Sequence, residues 1–282
     1  MLTRQRRLLA AIALVPLFSL AACSGTSSTS GSSTAEAGSS ASAAGPVSGE
    51  LTVFAAASLQ GAFEEIAQGV KEDNPDLTIT FNFLGSQDLV TALANGDAAD
   101  VLATANNSTM TDAANQSLVG EQTEFATNTL TLIVPKGNPA GITGLDSSLD
   151  GADLVICAPE VPCGEATEKL ATALGVTLNP VSEEQKVTDV RGKVESGEAD
   201  AGIVYTTDAA AATGVEEISI PNGGVINHYP IAITSGAQNT AAAQAFIDYI
   251  LSDKGRAILD THGFGAPGAG ATASATASPT GQ

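Results

Sequence analysis

Apolar positions between residues 50 and 265 alternate between short runs typical of buried strands and the periodic spacing typical of amphipathic helices. Residues 51–57 form an almost continuous apolar run, Ser58 follows it directly, and residues 59–73 repeat apolar side chains at helical spacing. We therefore expect a buried strand that leads into a helix with Ser58 as its N-cap. Because a helix start leaves backbone N–H groups without partners, this point is a predicted anion site.

The same alternation continues along the chain and predicts an α/β fold. Strand and helix in alternation favour mainly parallel sheets flanked by helices. Further strands are expected at residues 77–83, 100–103, 129–134, 153–158, 201–205 and 225–234, and further helices at 87–95, 165–174, 190–196, 240–251 and 253–261.

Two low-complexity segments flank this region. Residues 23–49 and 266–282 consist almost entirely of small and polar residues, so we expect a flexible tether and a disordered tail. The chain between them is long enough for two small lobes. The last two helices are too short a segment to form a lobe alone, so we assign residues 51–132 plus 232–265 to lobe 1 and residues 133–231 to lobe 2.

The N-terminus has the pattern of an export signal. Arg4, Arg6 and Arg7 precede an apolar stretch too short for a stable membrane anchor, and a small-residue cleavage site ends at Cys23. This arrangement is similar to the lipobox of bacterial lipoproteins. It implies that residues 1–22 are a signal peptide and that Cys23 is lipidated, anchoring an extracytoplasmic protein to the cell membrane. A plain secretory signal with an incidental cysteine is the alternative, and it also implies export.

Charge narrows the range of partners. The predicted leader carries three of the 11 basic residues and no acidic residue, which leaves 8 basic against 31 acidic residues and a net charge of −23. Such a charge repels nucleic acids and anionic membrane surfaces, so neither is an expected partner of the folded region. An anion that binds here must be held by local geometry. The acidity itself is typical of a soluble surface.

Two cysteines, Cys157 and Cys163, remain after Cys23 is assigned to the lipid anchor. An exported protein encounters an oxidising compartment, so a disulfide between them is favoured. A metal or redox role is less favoured because no histidine lies nearby and the spacing is not C-x-x-C. Closing so short a loop stabilises the fold by roughly 2 kcal/mol, so the bridge matters more for the shape of the loop.

Enzyme motifs are missing from the sequence. His228 and His262 are the two histidines, and neither G-x-S-x-G nor H-E-x-x-H occurs, so we expect no catalytic activity. A literal G-x-G-x-x-G begins at Gly263, but it follows a predicted helix and contains Pro267. A dinucleotide site requires a strand, a turn and a helix in that order, so Gly263 is interpreted as a helix terminator.

Eight segments in a fixed order indicate a family. They are 53–59 (VFAAASL), 85–86 (GS), 98–101 (AADV), 128–130 (NTL), 161–164 (VPCG), 189–191 (DVR), 202–209 (GIVYTTDA) and 229–232 (YPIA). They are distributed over residues 51–265, and this region resembles the periplasmic molybdate-binding proteins of ABC importers, the ModA family of type II solute-binding proteins. The resemblance implies two lobes with a ligand cleft between them. It also implies an importer permease and its ATPase as partners, and we expect a monomer without a cofactor.

The resemblance further implies a tetrahedral oxyanion, molybdate or tungstate, held by uncharged donors. The implied contacts are the hydroxyl and backbone N–H of Ser58 and Ser86, the backbone N–H of Cys163 and Val190, and the hydroxyl of Tyr205. No residue ligates the metal atom directly. Members of the family often have alanine at the position of Cys163. Because the implied contact uses the backbone N–H, this change of side chain should be tolerated. A site made only of donors disfavours anions that carry their own proton, because that proton finds no acceptor.

Simpler structural roles remain open for these residues. Ser58 and Ser86 are also typical helix N-caps, and Tyr205 is also typical of a half-buried core residue. Asp189 is interpreted as a cap and Arg191 as solvated or ion-paired. Among functions, sulfate or another tetrahedral oxyanion is the alternative ligand, and a surface adhesin is the alternative class.

Overall fold

The computed structural model describes residues 45–268, all of which belong to one compact unit. The predicted signal peptide (1–22), the lipidation site Cys23, most of the predicted tether and residues 269–282 of the predicted tail lie outside the described residues. Between residues 45 and 268, no helix is both long and apolar enough to cross a membrane.

Strands and helices alternate along the chain. The first group comprises β1 (Gly49–Ala56), α1 (Gln60–Asp73), β2 (Leu77–Leu84), α2 (Ser86–Ala94), β3 (Val101–Ala103), α3 (Asn107–Asn115) and β4 (Val119–Asn128). The second group comprises β5 (Leu130–Pro135), β6 (Leu154–Cys157), α4 (Pro162–Leu174), β7 (Ser182–Glu184), α5 (Val187–Glu195), β8 (Ala201–Tyr205), α6 (Thr206–Ala211) and β9 (Val215–Ile218). The last group comprises β10 (Asn227–Thr234), α7 (Thr240–Leu251) and α8 (Asp253–Thr261).

Two five-stranded sheets share one topology. Their strand orders are β2-β1-β3-β10-β4 and β7-β6-β8-β5-β9. In the first sheet β10 pairs antiparallel with both of its neighbours, and in the second sheet β5 does the same. The remaining strands of each described sheet run in a common direction. The predicted α/β class with two mainly parallel sheets is therefore confirmed.

Each sheet is the centre of one lobe, and the chain crosses between lobes twice. The first crossing lies between Asn128, the last residue of β4, and Leu130, the first residue of β5. The second lies between Ile218 and Asn227. Both crossings therefore precede the expected boundaries after residues 132 and 231, because strand pairing places all of β5 in lobe 2 and all of β10 in lobe 1.

The core of lobe 1 is built around aromatic side chains. Phe63 of α1 is fully buried and packs edge to face on Phe246 of α7, with ring centroids 5.5 Å apart. Its ring also lies 5.7 Å from that of Phe125 in β4. Burying one such side chain contributes about 2–3 kcal/mol. These contacts explain why the last two helices return to lobe 1: α7 supplies one wall of its core.

The chain ends of the described region are fastened to lobe 1. Val47 donates its backbone N–H to Asn74 Oδ1 at 2.8 Å, so order begins before the predicted end of the tether. Gly265 forms a bridge with Thr127, and Gly268 donates its N–H to Glu124 Oε1 at 2.8 Å. Residues 266–268, assigned to the disordered tail, therefore lie along β4. Gly263 has φ +86° directly after α8, the left-handed conformation of a helix terminator.

Candidate functional site

A small cavity of ≈ 10 Å³ lies between the two lobes, at the ends of strands and the starts of helices. That volume is room for about one water and is smaller than a tetrahedral oxyanion, so the lobes must separate slightly to hold such an ion. Lobe 1 lines it with the segments that follow β1, precede α2 and follow β3, and lobe 2 with the starts of α4 and α5 and the end of β8. The lining residues are Ala56, Ala57, Ser58, Leu84, Gly85, Ser86, Ala105, Val161, Pro162, Cys163, Lys186, Val187 and Tyr205.

The two lobes approach closely beside this cavity. Gln87 of α2 donates its Nε2 hydrogen to the carbonyl oxygen of Gln185 in lobe 2 at 3.0 Å. A Cβ atom added to Gly85 would lie 2.3 Å from that same carbonyl oxygen. A second contact between the lobes joins the Glu165 carboxylate of α4, which accepts hydrogen bonds, to Asn106 and Ser108 of lobe 1. The absence of a side chain at Gly85 thus allows the lobes to meet.

Ser58 and Ser86 both line the cavity, but neither is a helix N-cap. The N-cap of α1 is Leu59 and that of α2 is Gly85, and neither helix has a side-chain capping bond. Ser58 Oγ instead lies 3.0 Å from the Tyr229 hydroxyl. Ser86 is the first residue of α2, and its Oγ accepts the Ala105 backbone N–H at 3.1 Å. The prediction of Ser58 as an N-cap is wrong because a short 3-10 turn separates β1 from α1.

Tyr205 lies at the last position of β8 and is 1% exposed. Its hydroxyl accepts a hydrogen bond from Asn227 Nδ2 at 2.9 Å. Burial raises the pKa of the hydroxyls of both Tyr205 and Tyr229 above the ordinary value for tyrosine. Both hydroxyls therefore keep their protons near neutral pH, and the Tyr205 hydroxyl has its proton to donate to the neighbouring Tyr229 hydroxyl or to the cavity.

The start of α4 brings Cys163 to the cavity. Pro162 is the first helical residue and has no N–H, so the first N–H of this helix belongs to Cys163. The Cα atoms of Cys157 and Cys163 lie 5.7 Å apart, and their sulfur atoms are joined in the structure. That separation is typical of a disulfide. A Cβ atom added to Gly164 would lie 1.8 Å from the Ala158 carbonyl oxygen, so this turn also requires a glycine.

The start of α5 presents Val187 and not Val190. The helix begins at Val187, earlier than predicted, so its first N–H groups belong to Val187 and Thr188. The N–H of Asp189 already donates to the Lys186 carbonyl oxygen at 3.1 Å. Val190 is buried in the second turn, with its side chain toward Gly202 of β8. The structure therefore places the predicted Val190 contact away from the cavity.

Lys186 is a charged residue at the cavity that the sequence pattern did not indicate. It precedes α5, and its Nζ lies 3.6 Å from Asp189 Oδ1 with about a third of the side chain exposed (34%). Asp189, expected to cap the helix, makes this ion pair from the first turn instead. The described lining residues include no carboxylate, so a cation and neutral donors surround the cavity.

A second, wider cavity of ≈ 250 Å³ shares Ala57 and Ser58 with the first and includes Arg191 and Asp208. Arg191 Nη1 lies 4.0 Å from Asp208 Oδ1. Of the two roles expected for Arg191, solvated or ion-paired, the structure shows the ion pair. Burial raises the pKa of the Asp208 carboxyl to about 7, although the charge of Arg191 opposes this. The described residues contain no cluster of His, Cys, Asp and Glu suited to a metal ion.

Comparison with known proteins identifies the family. The model of the bacterial extracellular solute-binding proteins matches residues 51–265. The chain belongs to this family. It is 44% identical over 230 residues to the molybdate-binding protein ModA of Mycobacterium tuberculosis, covering 79% of this chain and 88% of that protein. The predicted resemblance is thus confirmed, and these relatives are solute-binding proteins, not enzymes.

Solved structures agree with this fold. The periplasmic molybdate-binding protein of Azotobacter vinelandii superposes with a TM-score of 0.66 at 22% identity, covering 77% of this chain and 99% of that one. The sulfate-binding protein SubI of Mycobacterium tuberculosis superposes with a TM-score of 0.62 at 17% identity, covering 76% and 86%. At these identities the likeness extends to the fold alone.

Proposed function

We propose that this protein captures molybdate, and tungstate with it, outside the cytoplasm and delivers it to an ABC importer. The observation that carries the proposal is the convergence of donors on the small cavity between the lobes. Ser58, Ser86 and Tyr205 offer hydroxyl protons, and two helices begin at the same point. Helix starts stabilise an anion without a mobile cation, and each charge-assisted hydrogen bond contributes about 1.5–3 kcal/mol.

The proposed ligand contacts differ from the predicted set at one position. The hydroxyls of Ser58, Ser86 and Tyr205 and the backbone N–H of Cys163 remain in the set. The backbone N–H of Val187 replaces that of Val190, because Val187 is the residue of α5 that lines the cavity. Lys186 adds a positive charge at the edge of the site.

Thermal unfolding of the purified protein with each of four anions tests the ligand. A ligand that binds only the folded state raises the free energy of unfolding by RT ln(1 + [L]/Kd). We expect molybdate and tungstate to raise the melting temperature at concentrations where sulfate and phosphate do not. Tyr205→Phe is the matched control and should need more molybdate for the same shift. A shift with sulfate and none with molybdate would assign the protein to sulfate.

Sulfate is the second candidate because it too carries no proton near neutral pH, so a site of donors accepts it. The mycobacterial sulfate-binding protein shares the fold. Size then decides between the two ions, since molybdate is larger than sulfate. Calorimetry with both ions measures this preference directly.

We also propose the lipid anchor and the disulfide. Cys23→Ala should release the protein from membranes into the soluble fraction of the producing cells. For the bridge, mass measurement after alkylation should find Cys157 and Cys163 blocked until a reductant is added. Two free thiols in the untreated protein would contradict the proposed disulfide.

A further inference from the structure

Two buried asparagines, Asn128 and Asn227, lie directly beside the crossings between the lobes. Asn128 is the last residue of β4 and Asn227 the first of β10, and the two are paired partners in the antiparallel ladder. Their exposed fractions are 4% and 6%. Neither lines the proposed anion cavity, yet each donates a hydrogen bond to the hydroxyl of a buried tyrosine.

The orientation of the Asn227 amide follows from its neighbours. Its Nδ2 lies 2.9 Å from the Ala105 carbonyl oxygen, which can only accept a hydrogen bond, so the nitrogen must face this side. The second hydrogen of the same nitrogen is then directed to the Tyr205 hydroxyl oxygen at 2.9 Å, which is closer than the Pro162 carbonyl oxygen at 3.5 Å. A phenol that accepts here has its one proton left for another partner, and Tyr205 faces the cavity.

Asn128 is fixed in the same way. Its Oδ1 accepts the Thr129 backbone N–H at 2.9 Å and the Thr206 hydroxyl at 2.9 Å. Its Nδ2 therefore points to the Thr207 hydroxyl and to the Tyr229 hydroxyl, at 2.8 and 3.4 Å. Tyr229 accepts from Asn128, and its hydroxyl lies 3.0 Å from Ser58 Oγ, a contact in which either oxygen can donate. When Tyr229 donates in this contact, the Ser58 proton is free for the cavity.

We propose that Asn128 and Asn227 are positioning residues that hold Ser58 and Tyr205 as hydrogen-bond donors and so set the preference for fully deprotonated oxyanions. This inference rests on the proposed function. Asn227 belongs to lobe 1 and Tyr205 to lobe 2, so this alignment exists only when the lobes are together. An anion bearing a proton needs an acceptor, and the two asparagines favour an arrangement in which hydroxyl protons, not free lone pairs, face the ion.

A double-mutant cycle tests the Asn227 arm. Asn227→Asp has nearly the same shape, but its carboxylate can only accept, so the Tyr205 proton turns away from the cavity. We expect molybdate affinity to fall about tenfold or more with Tyr205 present. In the Tyr205→Phe background the same substitution should cost about threefold or less, the part due to added charge. Asn179→Asp adds the same charge at an exposed site of lobe 2 and should change affinity little.

The ratio of the affinities for molybdate and phosphate separates a positioning role from a structural one. A purely structural role would leave this ratio unchanged. Against inorganic phosphate at pH 8, where hydrogen phosphate dominates, Asn227→Asp should narrow the affinity ratio of molybdate to phosphate by about tenfold, and Asn179→Asp should preserve it. The matching cycle for the other arm combines Asn128→Asp with Ser58→Ala. If thermal unfolding shows that Asn227→Asp does not fold, the double-mutant cycle with Tyr205→Phe is repeated with Asn227→Ala, which adds no charge.

Equal losses in both backgrounds with an unchanged anion ratio would overturn the positioning role, even when the wild-type protein binds molybdate. If the wild type binds sulfate and not molybdate, the proposed ligand fails while the same cycles, run with sulfate, still decide the role of the asparagines. Binding of none of these anions overturns both proposals.

Discussion

The two lobes supply different kinds of donor to the same cavity. Lobe 1 contributes the side-chain hydroxyls of Ser58 and Ser86, each already accepting or sharing a hydrogen bond within that lobe. Lobe 2 contributes the starts of α4 and α5, whose donors are backbone N–H groups, together with Tyr205. A hydroxyl donor depends on the type of residue, whereas a backbone donor depends on where a helix begins. Mutations therefore report on the two halves of the site in different ways.

Gly85→Ala tests whether the two halves must meet. The added Cβ would lie 2.3 Å from the Gln185 carbonyl oxygen, which belongs to the backbone of the other lobe and cannot move aside. We expect molybdate affinity to fall roughly a hundredfold or more, about 3 kcal/mol, because closure is blocked. Calorimetry measures the loss. Gly120→Ala, where the nearest atom is 3.7 Å away, is the control. Wild-type affinity in Gly85→Ala would show that binding does not need this close approach.

Removing single hydroxyls tests the donors in isolation. Ser58→Ala, Ser86→Ala and Tyr205→Phe should each weaken binding by about 1.5–3 kcal/mol, roughly ten- to a hundredfold. Calorimetric titration gives the affinities, and Ser235→Ala on the exposed surface provides the baseline. By contrast, Cys163→Ala keeps its backbone N–H and should lose only a few-fold. Hydroxyl variants with unchanged affinity would mean that these groups do not touch the ion.

Val187→Pro tests a backbone donor of lobe 2. Proline is favoured at the first position of a helix, and the preceding Lys186 has the extended backbone that proline requires, with φ −155° and ψ 152°. The substitution removes one N–H and preserves the helix, so affinity should fall about tenfold with little change in melting temperature.

Val190→Ala is the contrasting variant for the same helix. Its side chain is buried and its backbone is unaltered, so it should lower stability by about 1 kcal/mol and change affinity little. If Val190→Ala weakens binding more than Val187→Pro does, the contact belongs to Val190 as first predicted.

Asp208→Asn tests the charge behind the site. The pKa of this carboxyl is raised by burial from its ordinary 3.8 to about 7, so the folded state binds a proton that the unfolded state releases between those values. The contribution of Asp208 to stability therefore falls as pH rises through this window. Relative to wild type, the free energy of unfolding of Asp208→Asn should increase by about 2 kcal/mol between pH 5 and pH 7. Denaturant titrations at both pH values check this, and a constant difference would contradict the raised pKa.

Much of the fold could be predicted because burial and helix periodicity are local. Strand β8 and helices α7 and α8 have the predicted bounds. Strand β4 was missed because its first half, including Glu121 and Glu124, is polar and partly exposed, which weakens the strand pattern. Helix α3 was missed because its residues have weak helix propensity. The Asn106 side chain caps its start and stabilises it.

The predicted site residues differ along the same division between side chain and backbone. Ser58, Ser86, Cys163 and Tyr205 all line one cavity, and their contacts with an ion stay a prediction. The proposed contact moves from Val190 to Val187 because the start of α5 could not be located from an apolar pattern: Lys186 precedes the helix and supplies no capping bond. The asparagines beside the crossings were not predicted either, because their role depends on pairing across distant segments.

The pairing of Asn128 with Asn227 makes lobe 2 an insertion into a hairpin. Strands β4 and β10 are antiparallel neighbours and form the two arms of this hairpin. Asn128 and Asn227 are paired at the end of the hairpin where lobe 2 is inserted. Their Cα atoms are therefore about 5 Å apart, a gap that a two-residue turn spans. Both ends of the described chain also remain with lobe 1. Replacement of residues 129–226 by such a turn would leave the first sheet with every strand in place, so a one-lobe protein is accessible by one change to the chain.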